Sequence, residues 1–109
     1  MASFATVTDV EDYKKLIASS PKVVTCGISD TCSHCAIMEP IITEMKDKYQ
    51  NITFVKIEIH EHKDIAYYIK LSGTPMFTFS LNGNTIKELS MAGSKIDLFK
   101  DNVDKLSKM

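Results

Sequence analysis

Tryptophan is absent from this 109-residue chain, and glycine (4), proline (3) and cysteine (3) are sparse. So little glycine and proline excludes a collagenous or low-complexity polymer. Three cysteines are too few for a disulfide-stapled secreted scaffold, and an odd number leaves at least one as a thiol. Neither charge sign dominates: 13 Lys and Arg stand against 14 Asp and Glu, a formal charge of −1. That balance provides no broad positive field for nucleic acid or anionic lipid. No apolar run approaches the length of a membrane span, and Met1 to Val7 has neither the basic nor the apolar region of a secretory leader. A reducing, cytoplasmic setting is therefore expected. With 44% hydrophobic and 25% charged residues, residues 1–109 read as one globular domain able to bury about two-thirds of its extended-chain surface. No repeat, biased tract or linker interrupts it.

Hydrophobic spacing orders the elements. Phe4 to Val7 is a short strand-like run, and Thr8 with Glu11 has the spacing of a capping box for a helix carrying Val10, Tyr13, Leu16 and Ile17. Pro21 stops that helix. Val23 to Ile28 reads as a buried strand, followed by a polar turn at Ser29 to Thr31. Ile37, Ile41, Met45 and Lys48 or Tyr49 mark a long second helix, bent at Pro40. Ile52 to Ile59 is the next strand, and His60 to Ile69 a helix with soft boundaries. Met76 to Leu81 and Thr85 to Met91 flank Asn82-Gly83-Asn84, whose Asn-Gly pair tolerates the positive φ of a tight hairpin. Ser94 and Asp97 have capping-box spacing before a final helix with Ile96, Phe99, Val103 and Leu106 on one face. The order β-α-β-α-β-α-β-β-α implies an α/β fold: a central mixed sheet of about five strands flanked by four helices. Its early strands are expected to be parallel and its last pair antiparallel.

Chemistry concentrates at Cys32-Ser33-His34-Cys35, where a buried strand hands over to a helix. A sulfur in that helix's first turn lies near unpaired amides, which favour thiolate over thiol. Cys35, one turn further in, is shielded but on the same face. Cys32 can then attack a disulfide and Cys35 resolve the mixed disulfide, moving two electrons without a cofactor. The alternatives are a zinc half-site and a pair of inert core thiols. Zinc wants four ligands, and only His34, directed elsewhere around the helix, and Cys26 are at hand. An imidazole near Cys32 would further stabilise the thiolate and shift the pair toward a more oxidising potential; otherwise His34 is a solvated surface residue. His60-Glu61-His62 lacks a convincing fourth metal ligand. Asn51-Ile52-Thr53 matches a glycosylation acceptor only by chance at a strand entrance. Met38, Met45 and Met91 read as core, whereas Met76 is placed to line a groove.

The element order, the paired cysteines at a helix start, Pro40 within that helix, Thr74-Pro75 before a strand and Ala92-Gly93 before the last helix together resemble the thioredoxin family over essentially the whole chain. The resemblance implies that Cys32 is the nucleophile, Cys35 the resolving thiol and Pro75 a cis proline facing them. It also implies that Thr31, Ser33, Thr74, Met76, Ala92 and Gly93 border the substrate, with Thr74 offering backbone groups to an extended peptide. Main-chain recognition of this kind permits a broad substrate range. The implied partners are proteins carrying disulfides or dithiols and a redox partner such as a thioredoxin reductase or another thiol-disulfide protein. No cofactor, metal, nucleic acid or membrane is called for, and a monomer is expected.

The departures are informative. Thr31 replaces the family's usual tryptophan, losing apolar contact area. Ser33-His34 replaces Gly-Pro and resembles the disulfide-forming and isomerising branches. Cys26 stands where relatives commonly bury an aspartate beneath the sulfurs, and reads as a small buried hydrophobe. Lys56, which matches the lysine beside that acid, is expected to play a structural role, snorkelling or pairing with Glu58 or another carboxylate, the alternative being to assist proton transfer through water. The leading function is a thiol-disulfide oxidoreductase. The competing reading is a thioredoxin-like binding module with weak or residual redox activity, and a glutaredoxin-like glutathione reaction is a third.

Overall fold

The computed structural model describes residues 3–109; Met1 and Ala2, part of the stretch read above for a leader, lie outside the described residues. The elements are α1 (Val10–Ser19), β1 (Lys22–Ile28), α2 (Ser33–Lys48), β2 (Thr53–Glu58), α3 (Lys63–Tyr68), β3 (Met76–Leu81), β4 (Asn84–Thr85), β5 (Met91–Ala92) and α4 (Ile96–Ser107). The five-stranded sheet runs β2-β1-β3-β4, with β5 also pairing β3. β1 is parallel to β2 and antiparallel to β3, which in turn is antiparallel to β4 and β5. This is the mixed sheet with four helices that the hydrophobic spacing implies.

Both faces of the central strands are covered. Val24, Cys26, Phe77 and Phe79 point into a core shared with Met38, Ile42 and Met45 of α2 and Phe99, Val103 and Leu106 of α4. Tyr13 of α1 and Ile65 of α3 pack with Val23, Val55 and Ile57 on the opposite face. Phe99 anchors the first core, its ring 4.6 Å from Phe77 and 6.3 Å from Phe79 between centroids. Gly27 serves close approach: a Cβ there would lie 2.7 Å from the Leu71 side chain and 3.2 Å from the Met76 carbonyl.

Several local expectations shift. The Phe4–Val7 run contributes a single parallel bridge, Ala5 to Val55, rather than a strand. α1 is capped by Asp9, whose carboxylate accepts from the Asp12 amide at 2.8 Å, while the Asp12 carboxylate accepts from the Thr8 amide at 3.1 Å. The cap thus lies one residue later than Thr8-Glu11 suggests, because the reciprocal bonds use two aspartates. In α2 the buried stripe is Cys35, Met38, Ile42 and Met45, and Ile37 is 48% exposed. Adjacent pairs Ile37-Met38 and Ile41-Ile42 support two stripes one residue apart, and the inward position of Cys35 selects the second. Thr85–Met91 is no continuous strand: amides of Leu89 and Ser90 turn back onto the carbonyls of Ile86 and Lys87, separating β4 from β5. That turn buries Leu89, whose carbonyl accepts from the buried Asn102 side chain of α4 at 2.8 Å. The hairpin at Asn82 (φ 52°) and Gly83 (φ 86°) forms as its sequence dictates.

Candidate active site

β1, an interior strand, delivers the chain to the end of the sheet where a turn braced by Ser29 feeds α2. The Ser29 carbonyl accepts from the Cys32 amide at 3.2 Å, and the Ser29 and Thr31 hydroxyls lie 3.1 Å apart. Cys32 is the N-cap of α2, one residue before the first turn, and its Sγ accepts from the Cys35 amide at 3.2 Å. The sulfur occupies the position that a serine or aspartate oxygen usually takes at a helix start, satisfying one of the orphan amides. Negative charge on that sulfur is favoured by the same amides.

The two thiols are unequal. Cys32 is half-buried and Cys35 buried, and neither is in a disulfide. The Cys35 thiol beside Cys32 holds its pKa below the ordinary thiol value, helped by the Thr74 hydroxyl and then by the amides of Cys35 and His34. Burial pushes the Cys35 thiol up, and its bond to Cys32 pushes it further. The pair therefore has one sulfur that ionises readily and one that holds its proton.

A second segment closes on the first. The Thr74–Pro75 bond is cis, and Pro75 is buried. β3 begins at Met76, paired with Ala92 of β5, and the Pro75 carbonyl accepts from the Gly93 amide at 2.9 Å. Gly93 sits at φ 89°, a left-handed value that suits glycine. Thr74, Pro75, Met76, Ala92 and Gly93 thus form one connected border, while Thr31, Ser33 and His34 stand exposed on α2's side of the cysteines.

Ser94, which follows that border, has the capping-box spacing for α4. The N-cap is instead Lys95, without a side-chain bond, and the Ser94 hydroxyl lies 3.0 Å from His34 Nδ1. The imidazole is therefore tied across to the β5–α4 loop, and it is the backbone amide of His34 that bears on Cys32. Nothing in the local spacing reveals this bond, because its partners are 60 residues apart.

Beneath the motif, Cys26 is fully buried and burial drives its pKa strongly upward, only partly offset by the charge of Lys56. Lys56, its register partner on β2, reaches α2 and donates to Glu39 at 2.7 Å, with the Phe4 ring centroid 4.3 Å away. The carboxylate that meets Lys56 is thus Glu39 of α2 rather than the neighbouring Glu58, which accepts from the His60 amide. Among the described residues, Glu61 alone of the His60-Glu61-His62 run joins a cluster, its carboxylate gathering with those of Asp30 and Glu58 within 4.8 Å.

Comparison with known proteins places this geometry. The thioredoxin family model matches residues 4–105. Thioredoxin from Gallus gallus is 28% identical over 91 residues, covering 82% of this chain and 87% of that protein. NADPH-dependent thioredoxin reductase 3 from Arabidopsis thaliana is 33% identical over 79 residues, which are 71% of this chain and 15% of the relative. The crystal structure of oxidised mitochondrial thioredoxin 3 from Saccharomyces cerevisiae superposes with a TM-score of 0.87 at 22% identity, covering 94% of each chain. A family match through nearly all of the chain, on a mixed sheet whose first long helix begins at a pair of unequal thiols, establishes that the chain belongs to the thioredoxin family of thiol-disulfide oxidoreductases.

Proposed function

We propose that the protein reduces disulfides in other proteins, with Cys32 as the nucleophile and Cys35 as the resolving thiol. The observation that carries this reading is the asymmetry of the pair, a lowered pKa at the more accessible sulfur and a raised one at the buried sulfur. Cys32 thiolate attacks a substrate sulfur, forming a mixed disulfide and expelling a substrate thiolate. Cys35, once deprotonated, attacks Cys32 Sγ, releases the second substrate thiolate and leaves the Cys32–Cys35 disulfide. Thr74 to Met76 and Ala92 to Gly93 border an extended peptide, which the main chain holds. An electron source must then return the pair to dithiol. The similarity to part of a thioredoxin reductase supports a dithiol donor of that class, and a reducing compartment such as the cytoplasm suits this direction.

The engagement of the His34 ring with Ser94 favours reduction over oxidation or isomerisation, because it directs the imidazole to a hydroxyl rather than to Cys32. Replacing His34 with proline, which the first turn accommodates, removes the amide that faces Cys32 and should raise the Cys32 pKa. His34→Ala retains that amide and should leave the thiolate titration, followed by its ultraviolet absorbance, near wild type. Equal shifts in both variants would return the tuning role to the imidazole.

The function is tested by a glutathione redox equilibrium of the Cys32–Cys35 pair, run beside insulin reduction and oxidative refolding. A low potential with rapid insulin reduction is expected. A high potential with repair of scrambled disulfides would instead identify an oxidant or isomerase. Iodoacetamide should modify Cys32 at a lower pH than an ordinary cysteine, and Cys35 only at a higher one. Site-resolved mass spectrometry across pH reads both, and matching profiles for the two cysteines would remove the basis of the mechanism.

A further inference from the structure

On the face of the sheet away from α2, the helices α1 and α3 stop short of the β3–β4 edge and leave a cavity of about 580 Å³. Small-molecule sites commonly measure about 300–1,000 Å³. Strand alternation explains its floor: Phe77 and Phe79 enter the core on one side of β3, so Thr78 and Ser80 face the other. The hairpin closes one end, since a Cβ on Gly83 would lie 4.0 Å from Ile17 of α1. None of the residues bordering the cysteines lines this space.

Three features give the cavity a chemical preference. First, the Ser80 hydroxyl is buried yet has no hydrogen-bond partner among the described residues, on a residue only 7% exposed. Leaving such a group buried and unpaired is unfavourable, because it gives up its bonds to water for nothing. The nearby Tyr13 hydroxyl is satisfied by that of Thr25 at 2.8 Å, so the lack is specific to Ser80. Second, Lys14, Lys70 and Lys87 line the cavity and no Asp or Glu does, in a chain whose formal charge is −1. Lys14 leans on Glu11 at 3.6 Å, whereas neither Lys70 nor Lys87 forms an ion pair among the described residues. Third, Tyr68 is 47% exposed, stands edge-on to Tyr13 with centroids 6.4 Å apart, and carries Lys14 Nζ 5.2 Å from its ring centroid. Exposed lysines lining a cavity with an aromatic wall suit a phosphate attached to a flat ring, the charge being met by ammonium groups and the ring by Tyr68.

We propose that this cavity is a binding site for a small aromatic phosphate, of mononucleotide or aryl phosphate type, separate from the dithiol. The lysines hold the phosphate, Tyr68 stacks on the ring and the Ser80 hydroxyl bonds a polar atom of the ligand. Burying the ligand there places it against β3, the strand that begins at Met76 beside Pro75.

The test is an amide NMR titration of the full chain with adenosine 5′-monophosphate and with phenyl phosphate, against adenosine and inorganic phosphate alone. Shifts should gather at Tyr13, Tyr68, Ser80, Gly83 and Lys87, with a dissociation constant of about 1 mM or below for at least one ring phosphate. Each half-ligand should bind at least about tenfold more weakly. The double variant Lys70→Ser/Lys87→Ser should weaken the ring phosphate by about tenfold or more while leaving insulin reduction unchanged. Preference for the nucleotide or for phenyl phosphate distinguishes the two ring sources, and either supports the site. Absence of shifts at about 10 mM, shifts centred on Cys32 and His34, or equal affinity in the lysine double variant would overturn it.

Discussion

Cys32→Ser should lower insulin-disulfide turnover by at least about a thousandfold, because a serine hydroxyl at neutral pH is neither ionised nor a comparable nucleophile toward sulfur. Cys35→Ser should also fail in turnover but in a different way, retaining the first attack and accumulating a mixed disulfide through Cys32. The difference follows from geometry. Cys32 is the half-buried N-cap with its thiol lowered, and Cys35 is buried one turn on with its thiol raised. Non-reducing gel analysis and mass spectrometry of the trapped adduct distinguish the two variants. A Cys32→Ser/Cys35→Ser protein that keeps both its partner and its biological effect would instead favour the binding-module reading, which the unusual Thr31 and Cys26 make the principal rival.

Cys26→Asp should accelerate the resolving step by about tenfold or more and destabilise the fold by about 2–5 kcal/mol near neutral pH. Cys26 is fully buried under α2, and its own thiol, with its pKa strongly raised by burial, cannot serve as a base. A carboxylate there could accept the proton that Cys35 must lose before it attacks. The same burial would hold the introduced carboxyl above its unfolded pKa, so the protonated form folds best. The penalty is therefore smallest in acid below the ordinary carboxyl range and grows as pH rises through the folded value. Lys56 limits this penalty, but its ammonium is already engaged by Glu39 at 2.7 Å. Urea unfolding across pH measures the cost, and single-turnover decay of a preformed mixed disulfide measures the gain. Equal decay rates for the two proteins would show that proton removal from Cys35 does not limit resolution.

Much of this architecture is legible in short stretches of sequence. Asn82-Gly83 specifies its hairpin because both residues accept positive φ, and Cys32 and Cys35 declare their relation because three residues is less than one helical turn. Local sequence is ambiguous where two patterns compete. Ile37, Met38, Ile41 and Ile42 allow either of two stripes, and the choice depends on which face of α2 meets Phe77 and Phe99. Thr85 to Met91 alternates well enough for a strand, yet packing of Leu89 and its bond to Asn102 break it. Ser94 has the chemistry of a cap but spends its hydroxyl on His34.

Sequence by itself determined the four helices, the three longer strands that alternate with them, the hairpin and the identity of the paired sulfurs, since each depends on contacts within a few residues. Tertiary structure alone decided which carboxylate meets Lys56, where the His34 ring turns and how the β3–β4 edge is left open over Ser80. Those outcomes depend on side chains brought together from distant segments, where several partners are chemically suitable and only the packed geometry selects among them.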